Sequence, residues 1–309
     1  MSDGDAAVES KPKAAERAHA FAIIQLSLAV VALSSTAIFY RLSELGPTAT
    51  SFYRTSFAVP IFLVWMVIER RRSPGRASSL VVPGRWDGAV LALGAAVFAV
   101  NIVTYAWAVH LTSIANASLL SNLAPIFVSI GGFLLFRERV SRGFVVAMVT
   151  AIVGMGMLTN GKLSAAPDQI RGDVLAILSA IFFAGYLITI RRLSLHLTSA
   201  TIMFWTAATA TVFLFAATMA SGEALAPLTP YGWATLLAMA TFSYAFGQGL
   251  LIVALADLGA ALSAVALLFL PAIAAILAWM LFGEAITARQ AIGGLIILAS
   301  IFAAKRASR

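Results

Sequence analysis

The stretch Leu123-Ala124-Pro125-Ile126-Phe127, closed by Leu134-Leu135-Phe136-Arg137-Glu138, has a second version later in the chain. It reads Phe269-Leu270-Pro271-Ala272-Ile273, closed by Met280-Leu281-Phe282-Gly283-Glu284. In both, a glutamate follows a proline by thirteen residues, and a shift of 146 also superposes Ile130 on Ile276 and Leu135 on Leu281. Working outward, a shift of 147 pairs Trp86 with Trp233, Leu111 with Leu258 and the amide Asn101 with the amide Gln248. A shift of 151 pairs Arg41-Leu42-Ser43 with Arg192-Leu193-Ser194, and Ala49-Thr50 with Ala200-Thr201. These shifts differ only by loop-length changes, so they describe one duplication. In a membrane chain, a duplicated bundle is the sequence mark of alternating-access transport.

Composition puts the chain in a membrane. Of 309 residues, 61% are apolar and only 11% charged, where soluble domains carry about 25% charged residues. A membrane-spanning helix needs about 20 apolar residues, and ten such runs can be read: 20–41, 47–69, 86–109, 112–136, 141–161, 171–192, 198–221, 230–253, 258–282 and 286–305. They are too long for strands and lack the alternation of an outer-membrane barrel. The expected organisation is a disordered tail over 1–19, a first five-helix unit over 20–160, a linker over 161–173, a second unit over 174–305 and a short end over 306–309.

The net charge of +8 suggests nucleic acid until the charges are placed. With the amino terminus in the cytoplasm, sixteen Lys and Arg fall on the inside, and only Arg41, Lys162, Arg171 and Arg289 on the outside. Arg54 alone lies within a span. The positive-inside rule then places both termini in the cytoplasm, and no nucleic-acid partner is expected. An odd number of spans per unit inverts the second copy. The loop charges agree: Arg-Glu-Arg-Val-Ser-Arg follows Phe136, whereas Glu-Ala-Ile-Thr-Ala-Arg follows Gly283. The expected fold is therefore all-α integral membrane, ten transmembrane helices as two inverted five-helix repeats around a central cavity.

Little here points to catalysis. The chain has no cysteine, which removes disulfides, thiolate chemistry and cysteine-ligated metals. Glu44, Glu69, Glu138, Asp168, Asp173, Glu223, Asp257 and Glu284 all read as loop or span-end residues, and no acid–base pair or metal-binding spacing occurs. No enzyme activity, cofactor or metal is expected. Gly156 to Leu163 resembles a phosphate-binding loop but has Leu163 where Ser or Thr is required. Asn116-Ala117-Ser118 matches a glycosylation sequon, yet lies at or in a span.

Polar and aromatic residues within spans carry the candidate site. Asn101 and Tyr105 are four apart and share a helix face. With Tyr40, Ser121, Tyr186, Trp205, Tyr244 and Gln248 they read as the lining of a central cavity, mainly apolar and aromatic. For any one of them, interhelical hydrogen bonding is the competing reading. Arg54 has two readings: snorkelling to the membrane surface, or a cation in the outer vestibule able to pair with a substrate carboxylate. Pro60, Pro125 and Pro271 lie within spans. Pro125 and Pro271 are equivalent in the two copies, as paired gating bends or as plain kinks. Small residues, Gly143, Ala147, Ala151 and Gly154 in span five and Gly293, Gly294, Ala299 and Ala303 in span ten, allow close helix packing or a dimer face.

The two copies, each with its Pro…Phe-x-Glu stretch at Pro125/Glu138 and Pro271/Glu284, resemble the drug/metabolite transporter superfamily, specifically its EamA-like branch. Within it the chain is similar to bacterial aromatic amino-acid exporters of the YddG type. The resemblance implies a bacterial inner-membrane exporter of amino acids, aromatic and other neutral ones, and related metabolites; a monomer without a cofactor is expected. It also implies a basket of helices one to four and six to nine, with helices five and ten peripheral and Glu138 and Glu284 capping helix starts. Facilitated diffusion by alternating access is the expected mechanism. The alternatives are a multidrug or organic-cation exporter on the same scaffold, and a membrane scaffold that transports nothing.

Overall fold

The computed structural model describes residues 20–72, 84–136, 142–158, 167–194, 197–251, 267 and 269–307. Among these, every regular element is helical. In chain order they are α1 (Ala20–Leu42), α2 (Pro47–Arg71), α3 (Arg85–Leu111), α4 (Ile114–Ser121), α5 (Ala124–Phe136), α6 (Arg142–Leu158), α7 (Pro167–Leu193), α8 (Ser199–Ser221), α9 (Pro230–Leu251), α10 (Leu270–Phe282) and α11 (Ala288–Ala307). α1, α2, α3, α7, α8 and α9 are long and apolar enough to cross a membrane, and α10 and α11 hold shorter apolar helices.

The ends of these helices follow from local chemistry. Pro47, Pro167 and Pro230 open α2, α7 and α9, at positions where the missing N–H would have no partner inside the helix. Ser113, Thr198 and Thr229 accept backbone N–H groups of Asn116, Thr201 and Gly232 as N-caps. Gly222 and Gly283 adopt φ of +69° and +67° and terminate α8 and α10, a left-handed conformation that glycine reaches without steric cost.

Two sequence expectations change here. The span expected over 112–136 is two helices, α4 and α5, and the linker expected over 161–173 gives way to α7 at Pro167. The prolines explain the first. A proline ring collides with the carbonyl four residues back and offers no N–H. Ser121, four before Pro125, is the last residue of α4, and Ser56, four before Pro60, ends the first part of α2. α2 resumes at Ala58. Pro60 and Pro125 thus sit near the N-terminus of a segment that follows a helix break, and Pro271 sits in the first turn of α10. Glu138 and Asp257 lie outside the described residues.

α3 packs along α7 more extensively than any other pair, and α8 packs on α2 and α3. Alanines make this possible: Ala95, Ala99, Ala106, Ala176 and Ala180 are buried, and small side chains let helices approach where lipid provides no hydrophobic drive. Helices from both copies share one hydrophobic core. α6 and α11 pair mainly with each other. A Cβ added at Gly154 would stand 2.9 Å from the Gly293 carbonyl oxygen, so these two glycines serve a contact within one chain, whereas Gly143, Ala299 and Ala303 are exposed.

Candidate functional site

At one end of the bundle, carboxylates bind the starts of helices. Glu44 accepts the backbone N–H groups of Leu228 and Thr229 and the Thr229 hydroxyl, at the start of α9. Glu223 accepts those of Thr48 and Ala49 at 3.3 and 2.8 Å, at the start of α2. Glu284 accepts the Ile114 N–H at 3.0 Å, at the start of α4. Each carboxylate caps a helix in the other copy, where four backbone N–H groups lack partners and the helix dipole favours negative charge. Glu284 also pairs with Arg41 at 3.1 Å, and Arg41 donates to the Val109 and Thr112 carbonyls at 2.8 and 2.9 Å.

Asp173, read from the sequence as a span-end residue, is buried within α7. Its carboxylate accepts the Thr112 hydroxyl at 2.7 Å and the Asn116 amide at 3.3 Å. Asn116 in turn accepts the Gln290 amide at 3.1 Å. Gln290 and Thr287 form a reciprocal capping box at the start of α11. In solution around this end, burial is not what sets Glu44: the Thr229 hydroxyl bond holds its carboxyl below the usual range.

Below the capped end runs a column of aromatic rings contributed by both copies, all buried except the half-buried Tyr105. Tyr40 meets Tyr105 edge-on at 6.2 Å between centroids. Phe62 meets Tyr244 edge-on at 5.3 Å, and Phe98 stacks on Tyr186 at 4.4 Å and on Tyr244 at 6.2 Å. Such geometries suit the negative face and positive edge of aromatic rings. Tyr244 lies in a π-helical segment, Met239–Phe246, within α9; such wide turns recur at functional sites. Adjacent Ser243 bonds Thr36 of α1 at 2.5 Å. Arg54 places its guanidinium carbon 4.7 Å from the centre of the Tyr244 ring.

The structure therefore brings Tyr40, Arg54, Tyr105, Tyr186 and Tyr244 together and separates the others. Asn101 donates its amide to the Ser179 carbonyl and hydroxyl at 2.8 and 2.9 Å, tying α3 to α7. Ser121 reaches the Ala176 carbonyl at 3.3 Å. Trp205 packs in a separate apolar cluster with Leu91, Leu193 and Ile202. Gln248, the repeat partner of Asn101, is half-buried on α9. Arg54 is 8% exposed, so it does not snorkel to the protein surface. Phe62 and Phe98 were not singled out in the sequence, since nothing distinguishes them among twenty phenylalanines. Phe98 lies three residues before Asn101, a spacing that could have marked its face. Among the described residues, no cluster of three His, Asp or Glu side chains could hold a metal ion.

The fold and the sequence both have relatives. A solved crystal structure matches with a TM-score of 0.64 at 17% identity, covering 94% of this chain and 99% of its own; at that identity the likeness concerns the fold. The chain is 28% identical over 211 residues to the pseudopaline exporter CntI of Pseudomonas aeruginosa, covering 68% of this chain and 72% of that one. It is 27% identical over 288 residues to an uncharacterized transporter of Archaeoglobus fulgidus, covering 90% and 94%. The sequence profile of the EamA-like transporter family matches residues 20–160 and again 170–304, so this multi-pass membrane chain belongs to the EamA-like transporter family.

Proposed function

We propose that the chain exports amino acids, aromatic and other neutral ones, and related metabolites across a bacterial inner membrane by alternating access. The observation that carries this reading is the aromatic column, because its rings come from both copies. A solute bound among Tyr40, Phe62, Phe98 and Tyr105 on one side and Tyr186 and Tyr244 on the other would sense any rocking between the copies. The relative named as a pseudopaline exporter supports outward movement of a metabolite. With the termini in the cytoplasm, the capped end faces outward, and the state described here is closed on that side. Solute then enters from the cytoplasm. Opening would exchange the helix caps of Glu44, Glu223 and Glu284 for water.

Movement down the solute's own gradient is the simplest mechanism. Asp173 is a buried carboxylate of the kind that proton coupling would use. Proteoliposomes holding the purified chain, loaded with a panel of labelled amino acids, test both points. We expect labelled phenylalanine and leucine to equilibrate without an imposed ion gradient, and an unchanged final level under a pH gradient. Accumulation only under the pH gradient would replace facilitated diffusion by proton coupling. Absence of movement for every amino acid would overturn the substrate reading.

A further inference from the structure

Arg54 is a buried cation without a counter-charge among the described residues. Its Nε is fully enclosed with no hydrogen-bond partner, no described carboxylate pairs with it, and the contact it makes is with the face of Tyr244. A guanidinium can only donate hydrogen bonds, and leaving one buried and unpaired is costly in a low-dielectric interior. The Tyr244 hydroxyl is the second orphan: it too is enclosed with no partner. Two unsatisfied donors therefore belong to two side chains in contact, one from each copy. Tyr105 belongs to the same aromatic column, its ring edge-on to Tyr40 and its hydroxyl 3.3 Å from that of Ser118.

What satisfies two such donors at once is an acceptor with two oxygens and a negative charge. The depth agrees. Arg54 is seven residues from the start of α2, about 10 Å along the helix at 1.5 Å per residue, which places it beneath the capped end and beside the aromatic column. An organic cation would meet like charge here.

We propose that Arg54 and Tyr244 form the subsite for the carboxylate of the transported molecule, and that Arg54 leaves the Tyr244 ring to bind it. This rests on the transport reading above and adds a charge requirement to it. The ring contact bridges the two copies when the site is unloaded. Carboxylate binding replaces it with hydrogen bonds that span the same seam.

The test compares L-phenylalanine with L-phenylalaninamide, which keeps the ring and amine but lacks the carboxylate, in proteoliposomes of wild type, R54Q, R54K and Y244F. Wild type should move phenylalanine at least about tenfold faster than the amide, as expected for loss of a charge-assisted pair. R54Q should lose that preference, R54K should keep part of it, and Y244F should weaken it less. Phenylacetate should raise the thermal midpoint of wild-type protein in detergent but not that of R54Q, which judges the subsite even if transport fails. Equal rates for phenylalanine and its amide in wild type, or an unchanged preference in R54Q, would overturn the subsite while leaving the transporter reading intact. If R54Q does not fold, loss of the phenylacetate shift in Y244F supports the subsite, and an undiminished shift there counts against it.

Discussion

Two arginines thirteen residues apart in the first copy have opposite surroundings. Arg41, near the end of α1, has a carboxylate partner in Glu284 and two backbone carbonyls, Val109 and Thr112. Arg54, two turns into α2, has an aromatic face. Arg41 is also the wetter of the two, its side chain 27% exposed, whereas Arg54 is 8% exposed overall. The more buried charge is therefore the less compensated one. Folding alone would favour the reverse, since desolvation grows with burial and only pairing offsets it. The difference separates a charge that holds structure from one kept ready for a partner.

Stability measurements can break that comparison. Replacing Arg41 with Met leaves Glu284 with its cap but no ion pair, and should cost about 1–3 kcal/mol for an incompletely exposed charge left unpaired. Replacing Arg54 with Met removes an uncompensated charge and should leave stability unchanged or raise it by about 1 kcal/mol, the usual sign at a functional site. Thermal midpoints in detergent check both. If the Arg54 variant falls as far as the Arg41 variant, Arg54 is structural.

A smaller effect sharpens the contrast by adding a neutral contact at the seam between copies. Asn101 and Ser179 form a paired amide–hydroxyl contact between α3 and α7. A double-mutant cycle with Asn101→Ala and Ser179→Ala should give a coupling of about 0.6 kcal/mol, typical for hydrogen bonds between membrane helices. A coupling near zero would mean that the pair merely tolerates its surroundings.

The smallest effect lies at the exposed edge of the capped end. The Thr229 hydroxyl lowers the carboxyl of Glu44 from its ordinary value, about 4.3. A folded-state value below the unfolded one adds stability above the unfolded value, and that contribution disappears as pH falls through the lower folded value. The thermal midpoint of wild type should therefore decline more steeply below about pH 4.3 than that of Glu44→Gln. Identical profiles would show that Glu44 is not held by Thr229 in solution.

Much of this was legible in the residues. Apolar runs and the Pro125/Pro271 spacing announced helices and a duplication, because a helix must satisfy its backbone within itself and a membrane demands length. The helix breaks before Pro60 and Pro125 are local in origin too, since a proline acts on the carbonyl four residues back whatever surrounds it. Capping was only half visible. Thr287 and Gln290 sit at capping-box spacing, a local signature, but nothing near Glu44 or Glu223 in the chain says which helix each will cap. Their partners are 184 and 174 residues away.

The candidate site divides in the same manner. Tyr105 and Asn101 share a face by spacing, yet Tyr105 joins the column and Asn101 spends its amide on Ser179. Asp173 read as a span end until Pro167 began α7 six residues earlier and carried it into the protein.

The amino-acid order alone decided that this chain is helical, duplicated, built for a bilayer and carries one arginine inside a span, because those properties depend on composition and on neighbours within a few residues. Folding in three dimensions decided that this arginine lies against Tyr244, that Arg41 meets Glu284, and that three carboxylates cap helices of the opposite copy. Those pairings join residues far apart in the chain, and only the packing of one copy against the other selects among the many partners each could have had.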